Sequence, residues 1–143
     1  MKGISLTRAY IQSIDDPTNI NLNISISDKR YLKDNPYLLV IQTNQENRAR
    51  LAIYPVKVKN LIKVSLFGLK TSDKTTSYLS LSKIFQEFDI IHTSGLIIKG
   101  NELHYECYLN LSLSDVKTEV LKVALNKIKN IFRDISIKEI CLK

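Results

Sequence analysis

The spacing of apolar residues changes near Asn60, from a period of two to an alternation of two and 3.6. In the first stretch Asn21-Leu22-Asn23-Ile24-Ser25-Ile26-Ser27 alternates strictly, which puts Leu22, Ile24 and Ile26 on one face of a strand. Ile4 to Ile14 reads as an earlier strand, ended by the turn signal Asp15-Asp16-Pro17-Thr18-Asn19. Tyr37 to Gln42 and Arg50 to Tyr54 flank the polar stretch Thr43-Asn44-Gln45-Glu46-Asn47, a pattern that predicts a hairpin. Between the second and third of these strands, Asp28 to Asn35 has room for a short helix, capped by Ser27 or Asp28 and closed by Pro36. Pro55 has no N–H to give to a ladder and marks a strand end or a sheet edge.

After Asn60, Leu61 to Leu69 reads as a strand with Ile62, Val64 and Leu66 on one face and Lys63, Ser65 and Phe67 on the other. Beyond the polar loop Lys70 to Thr76, the residues Tyr78, Leu81, Ile84, Phe85 and Phe88 recur at helical spacing and predict an amphipathic helix ending near Asp89. Ile90 to Lys99 and Glu102 to Leu113 read as strands joined by Gly100-Asn101, a two-residue hairpin turn. Ser114 is expected to cap a long helix with Asp115 in its first turn and an apolar stripe of Val116, Val120, Val123, Ala124, Ile128, Ile131 and Phe132. Ile135 to Leu142 closes the sheet. The expected fold is therefore α+β: a small β-rich module over residues 1–59, then a ferredoxin-like βαββαβ domain over residues 60–143 with two helices on one face of an antiparallel sheet.

The hairpin register sets Ile98 opposite Leu103 and Leu96 opposite Tyr105. It gives an inner face of Leu96, Ile98, Leu103, Tyr105, Cys107, Leu109 and Leu111. The other face carries Thr93, Gly95, His104, Glu106, Tyr108 and Asn110, joined by Lys63, Ser65, Phe67 and Lys138. Such a polar face with aromatics must meet water, the first half of the chain or a partner.

Composition narrows the class. With 143 residues, 44% hydrophobic and 24% charged, four Gly and three Pro, the chain is neither collagen-like nor a Pro/Gly-rich disordered polymer. No apolar run approaches the roughly 18–20 residues of a membrane span, and Met1 to Arg8 lacks the apolar core of a secretion signal. A cytoplasmic location without a membrane partner is the expectation. Two cysteines, Cys107 and Cys141, make no disulfide framework. The net charge of +7, from 21 Lys and Arg against 14 Asp and Glu, favours an acidic partner, nucleic acid above all.

Two resemblances follow from these residues. Residues 61–142 resemble an ACT-type regulatory domain, or its relative in archaeal amino-acid-responsive regulators, in element order, in Ile84-Phe85 of the first helix and in Phe88-Asp89-Ile90-Ile91 entering the second strand. That resemblance implies dimerisation and an amino-acid-like ligand at the loop between first strand and first helix, here Lys70 to Thr76, which lacks the family's Gly. Residues 4–57 resemble a swapped-hairpin DNA-binding module of the AbrB/SpoVT/MazE type. Asn23-Ile24-Ser25-Ile26-Ser27 leads into Asp28-Lys29-Arg30-Tyr31-Leu32, and Arg50-Leu51-Ala52-Ile53-Tyr54-Pro55-Val56-Lys57 ends the unit. The family's Gly and the Pro after its first strand are absent. This second resemblance implies a homodimer whose chains interleave and whose first strands and basic turn contact duplex DNA.

The candidate sites are then these. Arg8, Lys29, Arg30, Lys33, Arg48 and Arg50 belong to a half with nine Lys and Arg against five Asp and Glu. They would release counterions from phosphates, or form a solvated surface and nothing more. Thr71, Ser72 and Asp73 of the polar loop, with Thr93 and Ser94 on the next strand, offer hydroxyls and amides to a carboxylate. Phe67 and Tyr108 on the open face would suit RNA stacking, although packing against the first half accounts for them as well. His104 and Cys107 lie three apart on a strand and project to opposite faces, so no metal site is expected. No nucleophile motif or Gly-rich phosphate loop is present, and neither a catalytic residue nor a cofactor is expected. The leading expectation is a non-enzymatic DNA-binding transcriptional regulator with an ACT-like sensing domain. A small-molecule-binding or protein-interaction module without a nucleic-acid role is the alternative, and an RNA-binding domain is the third reading.

Overall fold

A computed structural model of the protein describes residues 6–13, 34–68 and 74–142. The strand expected over Asn21–Ser27 and nearly all of the helix expected over Asp28–Asn35 lie outside them. In chain order the elements are β1 (Thr7–Ser13), β2 (Tyr37–Gln45), β3 (Arg48–Val56), β4 (Asn60–Phe67), α1 (Lys74–Phe85), β5 (Ile90–Thr93), β6 (Ile97–Lys99), β7 (Glu102–Leu109), α2 (Val116–Asn126) and β8 (Asp134–Cys141). The fold is α+β and rich in strand. It has a three-stranded sheet ordered β1-β2-β3 and a five-stranded sheet ordered β5-β7-β4-β8, with β6 also paired to β7. Strand pairing within both sheets is antiparallel.

Alternation along β4 and β7 sorts the residues into two cores. Ile62, Val64 and Leu66 of β4 join Leu103, Tyr105, Cys107 and Leu109 of β7 under Leu81 and Phe85 of α1 and Leu121 and Leu125 of α2. On the opposite face Leu61, Tyr108 and Ile140 pack against Ile11, Leu39 and Ile41 of the three-stranded sheet. The molecule is thus three layers deep, with helices, the larger sheet and the smaller sheet in that order. Each of these buried Leu and Ile side chains contributes roughly 1.5–3 kcal/mol of apolar burial. The face that alternation left open is covered by the first half of the chain. Tyr108 is 0% exposed and His104 6%, while Phe67 lies edge-on to His104 and beneath the Arg133 guanidinium, 4.9 Å from the ring centre. Tyr108 and His104 are thus buried between the layers, and Phe67 is half-buried under Arg133.

Several local expectations change. The β2–β3 turn is tighter than the polar stretch implied, because Gln45 still pairs with Arg48 and Glu46-Asn47 alone turn the chain. The strand expected over Ile90–Lys99 is broken: the register slips between Ile90 and His92, and Gly95 takes φ +73° between β5 and β6. The remnant β6 is a three-residue edge piece, so Ile98, expected inside, is 54% exposed even though it pairs with Leu103 as expected. The turn itself has φ 58° at Gly100 and 67° at Asn101, the backbone that favours these two residue types.

The stripe of α2 is also rotated. Val116, Val120 and Val123 are exposed and Thr118, Leu121 and Leu125 take the buried side, while Ile128 and Phe132 are buried as expected but lie in the turns beyond the helix, which ends at Asn126. Asp115, rather than Ser114, is the N-cap, its carboxylate accepting from the Lys117 N–H at 2.9 Å. Thr118 disguised the true stripe. It is fully buried, and its hydroxyl donates to the Ser112 carbonyl at 2.6 Å, so its polarity has a partner.

Along one edge the two sheets meet, where Ile11 of β1 makes a parallel bridge to Leu142 just beyond β8. At the other edge β3 overhangs β5, and the Tyr54 hydroxyl lies 2.7 Å from His92 Nδ1. No helix among the described residues is long and apolar enough to cross a membrane.

Candidate anion-binding groove

The smaller sheet presents its inward side chains in rows set by the pairing. Thr7, Thr43 and Arg50 form the row at the hairpin end; Ala9, Ile41 and Ala52 form the next; Ile11, Leu39 and Tyr54 form the third. Polarity therefore falls from the end of the sheet toward its middle. In the larger sheet His92 pairs with Tyr108, Ile97 with His104 and Lys99 with Glu102, which directs these three toward the smaller sheet. Between the two lies a groove of about 660 Å³, within the size range of small-molecule sites.

Three cationic residues line the groove, Arg8, Arg50 and Lys99, and no Asp or Glu is among the described residues lining it. Arg50 stands on the inward row and Lys99 on the facing strand, so the two approach from opposite walls. Arg8 belongs to the row Arg8-Gln42-Leu51 on the other face of the sheet. All three are exposed, and none takes part in an ion pair among the described residues. Apolar lining comes from Leu6, Leu51, Ala52 and Ile97.

Behind Thr7 the sheets are fastened by a buried polar cluster. The Glu106 carboxylate accepts from the Leu6 and Thr7 N–H groups at 2.9 and 2.8 Å and from the Thr7 hydroxyl at 2.6 Å. The Lys63 ammonium lies 3.3 Å from Glu106 and donates to the Thr7 carbonyl at 2.8 Å. The Tyr108 hydroxyl sits 2.6 Å from that of Thr7. Burial pushes the Lys63 ammonium below the ordinary lysine value, an effect Glu106 opposes. Burial likewise raises the Tyr108 phenol and holds the Cys107 thiol up at about 12, so neither is a nucleophile at neutral pH. His92 is lowered by burial and stays neutral at pH 7.

Of the residues singled out from sequence, Arg8, Arg50, Thr93 and Ser94 come together on this one groove, although they had been assigned to two different ligands. The hydroxyls of Thr93 and Ser94 are committed to the backbone. Thr93 Oγ1 accepts from Gly95 N–H, while Ser94 Oγ donates to the Gly95 carbonyl and accepts from Glu106 N–H. Arg48 sits at the start of β3 on the same face as Arg50, beside the turn. Lys29, Arg30, Lys33, Thr71, Ser72 and Asp73 lie outside the described residues. Sequence reasoning missed Lys99, Thr43 and His92. For Lys99 the signal was available, since the Ile98–Leu103 register already puts it on the face opposite the helices. No group of three or more metal-ligating side chains occurs among the described residues. No family profile matches the chain, and no curated protein matches it in sequence.

Proposed function

We propose that the protein acts by binding rather than by catalysis, as a regulatory module that takes a small anion between its two sheets. The observation that carries this reading is the convergence of Arg50 and Lys99 from opposite walls on a groove with no carboxylate among the described residues lining it. The order of elements after Asn60 and the sheet order β5-β7-β4-β8 support a ferredoxin-like, ACT-like reading of that half. A ligand that bridges β3 and β6 would couple the two halves, and this is how such a module would report occupancy.

Duplex DNA is a second reading, favoured by Arg48, which extends the same basic face of β3 past the groove toward the turn. The test sets sodium phenyl phosphate against a random-sequence duplex at low and moderate salt, with melting temperature, DNA binding and oligomeric state read on one sample. Stabilisation by millimolar phenyl phosphate with little duplex binding is the expected result. Tight duplex binding that falls steeply with salt, without a phenyl phosphate effect, would transfer the proposal to DNA. A response to neither would remove both readings.

A further inference from the structure

We infer that the anion is a phosphate monoester: a compact dianionic group held at the hairpin end of the groove, joined to an apolar or aromatic body that lies inward. This rests on the reading of the groove as an anion site and adds the class of anion. Two cations on opposite walls, neither of them ion-paired among the described residues, call for more than one negative charge at one point. A phosphate monoester carries about −1.5 to −2 at neutral pH on three accepting oxygens. A planar Arg50 fork can take two of these oxygens while the Lys99 ammonium meets the third from the facing strand. Thr43, in the same row as Arg50, adds a hydroxyl.

The next row argues against two other classes of anion. Moving inward from Arg50, the wall becomes Ala52 beside Ile41, and the facing wall carries Ile97 and then His92. A dicarboxylate would set its second charge against this apolar row without a counter-charge, which is costly. An amino acid needs a counter-charge for its ammonium group, and no Asp or Glu is among the described residues lining the groove. The Glu106 carboxylate behind Thr7 is already met by Lys63, by the Thr7 hydroxyl and by two backbone N–H groups. The hydroxyls of Thr93 and Ser94 are bonded to backbone as well. An uncharged body, by contrast, fits this row, with Ala52 and Ile97 on its two sides and the ring of His92, fixed by Tyr54, at its inner end.

Titration calorimetry of the full chain with phenyl phosphate, inorganic phosphate, succinate and L-leucine tests the assignment. Phenyl phosphate is expected to bind about tenfold or more tightly than succinate or leucine, and more tightly than inorganic phosphate. Arg50→Gln and Lys99→Gln should each weaken it by about tenfold, the usual effect of losing one charged hydrogen bond. Ile97→Asn should weaken phenyl phosphate and leave inorganic phosphate unchanged. All three positions are exposed, and circular dichroism of each variant confirms the fold. Succinate or leucine binding as tightly as phenyl phosphate, with the same dependence on Arg50 and Lys99, would overturn the phosphate assignment and leave the anion groove standing. Binding that ignores both cations, or no binding at all, would overturn the groove together with its ligand.

Discussion

Glu106 and Lys63 show how a single residue can decide the relation of two sheets. Both side chains are buried, and each contacts backbone or hydroxyl groups of Thr7 from the other layer. Removing one partner leaves an uncompensated buried charge, which is far more damaging than losing an exposed pair. Glu106→Ala is expected to cost about 3–5 kcal/mol in urea unfolding. Adding Lys63→Met to it should recover part of that loss, because the orphaned ammonium goes as well. The two histidines act on acid stability. Burial lowers both His92 and His104 from the ordinary value of 6.5, so the unfolded chain binds more protons than the folded one just below that pH. Stability is therefore highest above about pH 6.5 and falls as pH drops through the window beneath it. Thermal melts from pH 7.5 to 5.5 should show this slope, and His92→Gln combined with His104→Gln should flatten it. Single residues were only partly legible in sequence: alternation placed Lys63, Glu106 and Tyr108 on one face, but Thr7, their partner, lies 56 positions from Lys63 and 99 and 101 from the other two, and no local pattern points to it.

At the scale of elements, strands were easier to place than helix faces. β4 and β7 alternate cleanly, so a period of two found their buried sides and the Gly100-Asn101 turn. In α2 two apolar threads run side by side, three valines on one and two leucines on the other, and a buried threonine broke the second. The difference is measurable. Leu121→Ala should cost about 2–5 kcal/mol, while Val120→Ala should stay within about 0.5 kcal/mol, both read from denaturant midpoints. The end of β4 offers another check. A Cβ on Gly68 would come within 2.7 Å of the Ile131 carbonyl oxygen and 3.0 Å of the Phe132 ring, so β4 can pass under the chain beyond α2 only without a side chain there. Gly68→Ala is expected to cost about 1–3 kcal/mol, as overpacking does elsewhere.

For the molecule as a whole, the packing of one half on the other was the least legible feature. Sequence patterning left the polar face of the larger sheet open to water, to the first half or to a partner, and the side chains that close it come from strands remote in the chain. The same remoteness hid the groove: Arg50 and Lys99 belong to separate hairpins, and only the stacking of the sheets makes them opposite walls. Because Tyr108, Leu61 and Ile140 share one core with Ile11, Leu39 and Ile41, the two sheets are expected to unfold in a single transition. Circular dichroism and tyrosine fluorescence should give coincident denaturant curves, and two separated transitions would show that residues 1–59 and 60–143 are energetically independent.

The bridge between Ile11 and Leu142 gives this arrangement a mechanical character. Among the described residues the two leaves are bound at three points: this bridge, the buried cluster of Thr7 with Glu106 and Lys63, and the Tyr54–His92 hydrogen bond at the β3 edge. Arg50 and Lys99 stand at the hairpin end of these pages, one on each. An anion clasped between them would act as one more clasp on a book already held at three places.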